Sequence, residues 1–144
     1  MILSKNFALE EMLESSSAEI LGITEKQEAV PEEAVCNLIH LCHEVLQPLR
    51  DNFKEVIRIN SGYRCPELNK WLGGAPNSQH LKGEAVDIFL WDKQRGKEYF
   101  YYIIEHTNFD QLIWEQRKNR YWIHVSAKRQ GENRHQVLFN INYL

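Results

Sequence analysis

Three side chains in this sequence have the chemistry to hold a metal ion together. His80 lies in the glycine-bounded loop Ser78-Gln79-His80-Leu81-Lys82-Gly83. Asp87 interrupts the apolar run Ala85-Val86-Asp87-Ile88-Phe89-Leu90, and His124 interrupts Trp122-Ile123-His124-Val125. A carboxylate among core residues is costly unless a cation or a set of donors satisfies it. Two imidazoles and a carboxylate form a three-ligand set of the kind that binds zinc and keeps a fourth position for water. Such a water reaches a pKa near ~7 and becomes a nucleophile at neutral pH. The nitrogen-and-oxygen donor set favours zinc among divalent metals. A single buried histidine is more often a satisfied core residue; three such groups in apolar or glycine-rich settings point to a metal.

The elements that must position these groups follow from periodicity. Asn6 or Ser4 caps a short amphipathic helix over Phe7–Glu14, and the polar stretch Ser15–Val30 reads as loop with room for one helical turn. Pro31-Glu32-Glu33 opens a helix that runs to about Arg50, with Val35, Leu38, Cys42, Val45 and Leu49 as its apolar seam. Strands are expected at Val56–Ile59 and Ala85–Leu90, a helical turn at Glu67–Trp71, and a helix at Gln94–Glu105. Gln111–Gln116 and Tyr121–Ala127 form a hairpin around Arg117-Lys118-Asn119-Arg120, and the alternating Val137–Tyr143 closes the sheet. Helices first and closely spaced strands after them predict an α+β domain on a mostly antiparallel sheet, with the N-terminal helices on one face. Strand alternation puts Ala85, Asp87 and Phe89 on a single face.

Composition narrows the rest. With 144 residues the chain fits one domain over its whole length and can bury roughly 68–70% of its unfolded surface. Hydrophobic residues are 43% and charged residues 26%, ordinary for a globular protein. Lysine and arginine number 17 against 20 acids, which excludes the basic footprint of a nucleic-acid binder. No apolar run approaches the ~20 residues of a membrane span. The start, Met1-Ile2-Leu3-Ser4-Lys5-Asn6, lacks the layout of a signal peptide. Cys36, Cys42 and Cys65 cannot all pair with one another, so reduced thiols and a cytoplasmic origin are expected. A monomer is expected, with no nucleic-acid or membrane partner.

Ser61-Gly62-Tyr63-Arg64, Asn69, Gly73-Gly74, Ser78-Gln79-His80, Gly83, Ala85, Asp87 and Trp122-Ile123-His124-Val125-Ser126 resemble the zinc D-Ala-D-Ala carboxypeptidase family. That family includes phage L-alanyl-D-glutamate endopeptidases and shares its fold with the hedgehog signalling domain. Asn6-Phe7, Glu10-Glu11 and Leu46-Gln47-Pro48-Leu49-Arg50 are similar too, so the likeness covers nearly the whole chain. The resemblance implies one zinc per chain on His80, Asp87 and His124, and peptidoglycan stem peptides as substrate. It implies a D,D-carboxypeptidase or an L-Ala–D-Glu endopeptidase, reaching the wall through a phage holin or working in wall recycling.

One departure matters for mechanism. Many members of the family carry an acid three residues before the late histidine, and Tyr121 occupies that position here. In the expected hairpin Gln116 faces Tyr121, Glu115 faces Trp122 and Ile113 faces His124, so Glu115 shares the face of His124 one diagonal step away. Glu115 is therefore the candidate general base, and the subgroup most like this chain often has an acid there. Arg64 is the candidate for binding a substrate carboxylate or steadying an oxyanion. Ser78 and Gln79 are expected to orient His80 or touch substrate, and Ser126 does likewise near His124. The missing acid at position 121 keeps two other readings open: a non-catalytic zinc-containing module of the same fold, or a phage component that docks on the wall.

Other reactive side chains read as incidental. His40 and His43 share a helix flank with no third ligand. His106 and His135 are expected in exposed loops. Cys65 has no paired histidine, and Tyr99, Phe100, Tyr101 and Tyr102 at helical spacing cover the core.

Overall fold

The computed structural model describes residues 1–143. Its N-terminal half is a set of helices whose entry points are chemically marked. A two-stranded ribbon, β1 (Ile2–Ser4) with β2 (Phe7–Ala8), leads into α1 (Leu9–Leu13). The polar stretch that follows is more ordered than expected: it folds as α2 (Ser16–Leu21) and α3 (Thr24–Glu28). Ser15 caps α2 by accepting from the Ala18 N–H, and Gly22 ends it in the left-handed region. These helices are too short and too polar to leave a periodic trace, since Ala18 and Gln27 are their only buried residues.

The long helix begins after Pro31 as α4 (Glu32–Leu41) and continues into α5 (Gln47–Phe53) through a π-helical turn at Cys42–Leu46. Pro48 explains the turn. Its ring would collide with the Glu44 carbonyl in a regular ladder, and the widened turn relieves that collision. The seam holds through it: Leu38, Leu41, Cys42, Val45, Leu46 and Leu49 are all buried. Burial pushes the Cys42 thiol up to about 12, so it is an inert packing residue.

The second half builds a five-stranded sheet in the order β3 (Ile59–Ser61), β4 (Ala85–Phe89), β6 (Arg120–Ser126), β5 (Gln111–Arg117), β7 (Gln136–Asn142). Before β4 come α6 (Pro66–Trp71) and a 3-10 turn at Gln79–Lys82; α7 (Lys93–His106) follows it. All pairings are antiparallel except β5 with β7, which are parallel. The first strand lies three residues later than its hydrophobic pattern suggested: Val56 is exposed, and pairing starts only at Ile59. The hairpin loop is also tighter than the four residues expected, Lys118-Asn119 alone, with Lys118 at φ 58°. The pairing nevertheless keeps Gln116 opposite Tyr121.

Alternation divides the sheet into two unlike faces. Val86, Ile88, Leu112, Ile123 and Val125 are buried in one core cluster with the α4–α5 seam and with Tyr99, Phe100 and Ile103 of α7. The opposite face carries Asp87, His124 and Glu115, which line a groove. Among the described residues no helix is long and apolar enough to cross a membrane.

Candidate metal centre

Asp87 on β4 pairs directly with His124 on β6, and Ser61 on β3 flanks Asp87 from the other side. His80 arrives from the 3-10 turn, whose start is capped by Ser78 accepting from the His80 N–H at 3.2 Å. Gly83 ends that turn at φ 71°, where a Cβ would also lie 2.4 Å from the Ala34 carbonyl oxygen of α4. Asn37 of α4 reinforces it by donating to the Lys82 carbonyl at 2.8 Å. The result is a set of donor atoms from His80, Asp87 and His124 that all lie within 4.8 Å of one another.

The orientation of His80 carries information about what belongs there. Its Nδ1 lies 2.7 Å from the Gly62 carbonyl oxygen, which can only accept, so the proton sits on Nδ1. That leaves the Nε2 lone pair pointing at Asp87 Oδ1, 3.4 Å away. Two acceptors facing each other in a nearly dry site require a cation or an extra proton between them. His124 Nδ1 comes within 3.0 Å of the same Asp87 oxygen. The three side chains are 4%, 13% and 15% exposed, so water screens this charge only weakly. Burial alone would push the Asp87 carboxyl up; with a proton between the imidazoles and the carboxylate, the charge and hydrogen bonds of His80 and His124 outweigh it and hold Asp87 well below the usual carboxylate range. An ionised carboxylate converging with two imidazoles fits a divalent metal such as zinc.

Arg64 stands behind this set. Its Nε donates to Ser61 Oγ at 3.1 Å and its Nη2 approaches Asp87 Oδ2 at 3.4 Å, while its backbone N–H donates to the His80 carbonyl. Burial pushes its pKa down and the Asp87 charge opposes that, leaving a guanidinium cation. Arg64 thus orients Asp87 while also lining the groove with Ser78 and Gln79. The Gln79 amide nitrogen is already engaged by Asp110 at 3.0 Å, so Gln79 braces the turn from below. Ser126 Oγ accepts from the Gln111 N–H and helps join β6 to β5.

Glu115 lies on β5 opposite Trp122, two rungs from the Ile113–His124 pair, and lines the same groove as His80, Asp87 and His124. Asn140 of β7 donates to its Oε1 at 3.0 Å. Tyr121 points the other way: it belongs to the core face and stacks on Trp114 at 6.2 Å. An acid at position 121 of this strand would face away from His124, so the neighbouring strand is the geometrically sensible source of one. The groove measures about 630 Å³, and a second of about 620 Å³ continues past Asp87 and Trp122 toward Asn119 and Arg120.

Gln27 of α3 was invisible as a functional residue in a stretch expected to be loop. It is 1% exposed. Its Nε2 donates to the carbonyls of Tyr63 and Leu13, and its Oε1 accepts from the Cys65 N–H at 2.9 Å. It therefore clamps the backbone on both sides of Arg64. Gln27→Ala leaves two buried backbone groups and the part-buried Leu13 carbonyl without their partner and is expected to lower unfolding free energy by roughly 2–3 kcal/mol. Chemical denaturation checks this, with zinc stoichiometry expected to stay unchanged.

His43 is exposed on its helix flank and His40 is half-buried, with no third ligand beside them among the described residues. His106 ends α7 rather than lying in a loop, and His135 is exposed but partnered by Asn108 and Phe109. Cys65 is buried and all three cysteines are free. Tyr99 and Phe100 are core, whereas Tyr101 is exposed.

A half-open sheet presenting two imidazoles, a carboxylate and a nearby glutamate in one groove is the layout of a metal-centred site. A sequence model of the Peptidase M15 family matches residues 5–126, a span that contains all three donors, Arg64 and Glu115. The chain belongs to that peptidase family. No curated protein matches the chain significantly.

Proposed function

We propose that this chain is a zinc metallopeptidase that hydrolyses peptidoglycan stem peptides, cutting inside the peptide in the manner of an L-Ala–D-Glu endopeptidase. The observation that carries the hydrolytic reading is the convergence of His80, Asp87 and His124 beside Glu115 in one groove. The preference for an internal bond over trimming a D-Ala-D-Ala end is supported by the groove, which runs on both sides of Asp87 and Trp122. A terminal trimming enzyme needs room for chain on only one side.

When bound, zinc acidifies a water molecule and polarises the scissile carbonyl. His80 holds its Nε2 toward that position because the Gly62 carbonyl fixes the proton on Nδ1. Glu115 accepts the proton of the attacking water and returns it to the leaving amine. Asn140 leaves one Glu115 oxygen oriented while the other remains available for the proton. Arg64 stands 3.4 Å from Asp87 Oδ2 and presents positive charge where an oxyanion develops.

The purified protein loaded with zinc is expected to release L-Ala from stem peptides whose C-terminal D-Ala-D-Ala is blocked. A chelator should abolish this, and added zinc should restore it. Stoichiometric zinc with no cleavage of any wall peptide would sink the enzymatic reading and leave a zinc-containing binding module. Release of D-Ala alone from unblocked peptides would shift the assignment to a carboxypeptidase.

A further inference from the structure

Asp110 is a buried acid outside the metal centre, and its partners are unusual in where they lead. It is 0% exposed. Its Oδ1 accepts from the Arg134 backbone N–H at 2.8 Å and from Arg134 Nε at 3.0 Å; its Oδ2 accepts from Arg134 Nη2 at 2.9 Å and from Gln79 Nε2 at 3.0 Å. Lys128 Nζ stands 3.8 Å from Oδ1. Burial pushes the Asp110 carboxyl up, but the Arg134 bonds outweigh it and hold it below the usual range. Residue 134 lies past the end of the family match, yet its side chain lines the same groove as His80, His124 and Glu115.

A guanidinium has a side edge, Nε with one Nη, and an end edge formed by the two Nη groups. Asp110 takes the side edge of Arg134 in a two-bond fork. The end edge has no partner among the described residues, and the side chain is 49% exposed. Two cations stand against one carboxylate, so the cluster keeps a net positive charge after Asp110 is neutralised. A fixed fork of N–H donors with surplus positive charge, opening into a peptide groove, is suited to a second carboxylate.

We propose that Arg134, aimed by buried Asp110, is a specificity-determining residue that receives a free carboxylate of the peptide substrate. The assignment rests on the groove being the substrate site. It makes the protein a reader of the acidic state of its peptide: a free carboxylate is accepted and the corresponding carboxamide is disfavoured. An amide presents N–H groups to N–H donors and carries no charge, so it forfeits both parts of the interaction. Because Asp110 also holds Gln79, the residue preceding His80, the receptor and the metal centre share one rigid support.

The test pairs two ligands, L-Ala-γ-D-Glu-L-Lys-D-Ala and the same peptide with its glutamyl α-carboxylate converted to a carboxamide. Zinc-loaded protein is titrated with each by calorimetry, and cleavage is followed in parallel. Wild type is expected to favour the acid by roughly 10- to 100-fold. Arg134→Lys keeps a cation beside Asp110 and loses the fork; its preference should fall to within about threefold. Arg134→Met with Asp110→Asn removes both charges together, so no buried carboxylate is stranded, and should show the same loss. Equal binding of acid and amide by wild type, a preference that survives Arg134→Lys, or no binding of either peptide overturns the proposal. Discrimination in binding that depends on Arg134 with no cleavage of either peptide would sustain it and remove the peptidase reading instead.

Discussion

Asp87→Ala is expected to lose zinc, and with it turnover by about 10³-fold or more. Removing one supporting contact around a bound metal already weakens binding by roughly 10–100-fold, so loss of a charged ligand sits at or above the top of that range. Loss of several kcal/mol of Lewis-acid stabilisation, at about 1.4 kcal/mol per tenfold, gives the effect on rate. The diagnostic measurement is stability with and without metal. At zinc a hundredfold above its dissociation constant, wild type gains about 2.7 kcal/mol; a variant bound a hundredfold more weakly gains about 0.4 kcal/mol. For a domain of this size the difference is worth roughly 5–9 °C in Tm.

The comparison must be the zinc-induced shift rather than absolute Tm. Without metal, the Asp87 carboxylate still neutralises Arg64, whose side chain is only 15% exposed. Deleting it strands a guanidinium, which destabilises the fold through a route unrelated to zinc. A variant that starts less stable yet gains the full zinc increment would show that Asp87 is a structural partner of Arg64 and not a ligand.

Much of this site could be read from sequence because it depends on strand alternation. Asp87 and His124 each interrupt an apolar strand, and alternation alone puts them on the face opposite Val86, Ile88, Ile123 and Val125. Glu115 followed from the hairpin register, which survived an error in loop length because trimming one residue from each end of the loop leaves every pair unchanged. What escaped depends on tertiary approach. Gln27 clamps the Arg64 segment across 36 to 38 positions of chain, and Asp110 finds Arg134 across 24. Nothing local marks either residue; each becomes meaningful only once two separate segments meet. The parallel pairing of β7 with β5 escaped for a similar reason, since an alternating strand has the same pattern in either direction.

Glu115→Gln is expected to cut kcat by about 10²–10⁴-fold with zinc content unchanged, the range for losing a positioned general base. The substitution suits the question because glutamine keeps an acceptor oxygen for the Asn140 amide, so the side chain can hold its place while losing the ability to take a proton. The Glu115 hydrogen bond runs to Asn140 of β7 and not to His80, Asp87 or His124, which separates its effect from that of Asp87. Asn140→Ala supplies the graded counterpart: it frees the Glu115 carboxylate without altering its chemistry, so its loss should be small, within about tenfold, as expected for one orienting hydrogen bond of about 0.5–1.5 kcal/mol. A bystander glutamate at the end of a strand would give near-wild-type turnover in both variants. Retained zinc, a large loss for Glu115→Gln and a small one for Asn140→Ala form a pattern that neither misfolding nor metal loss reproduces. The base would then come from β5, the strand beside the one where Tyr121 turns into the core.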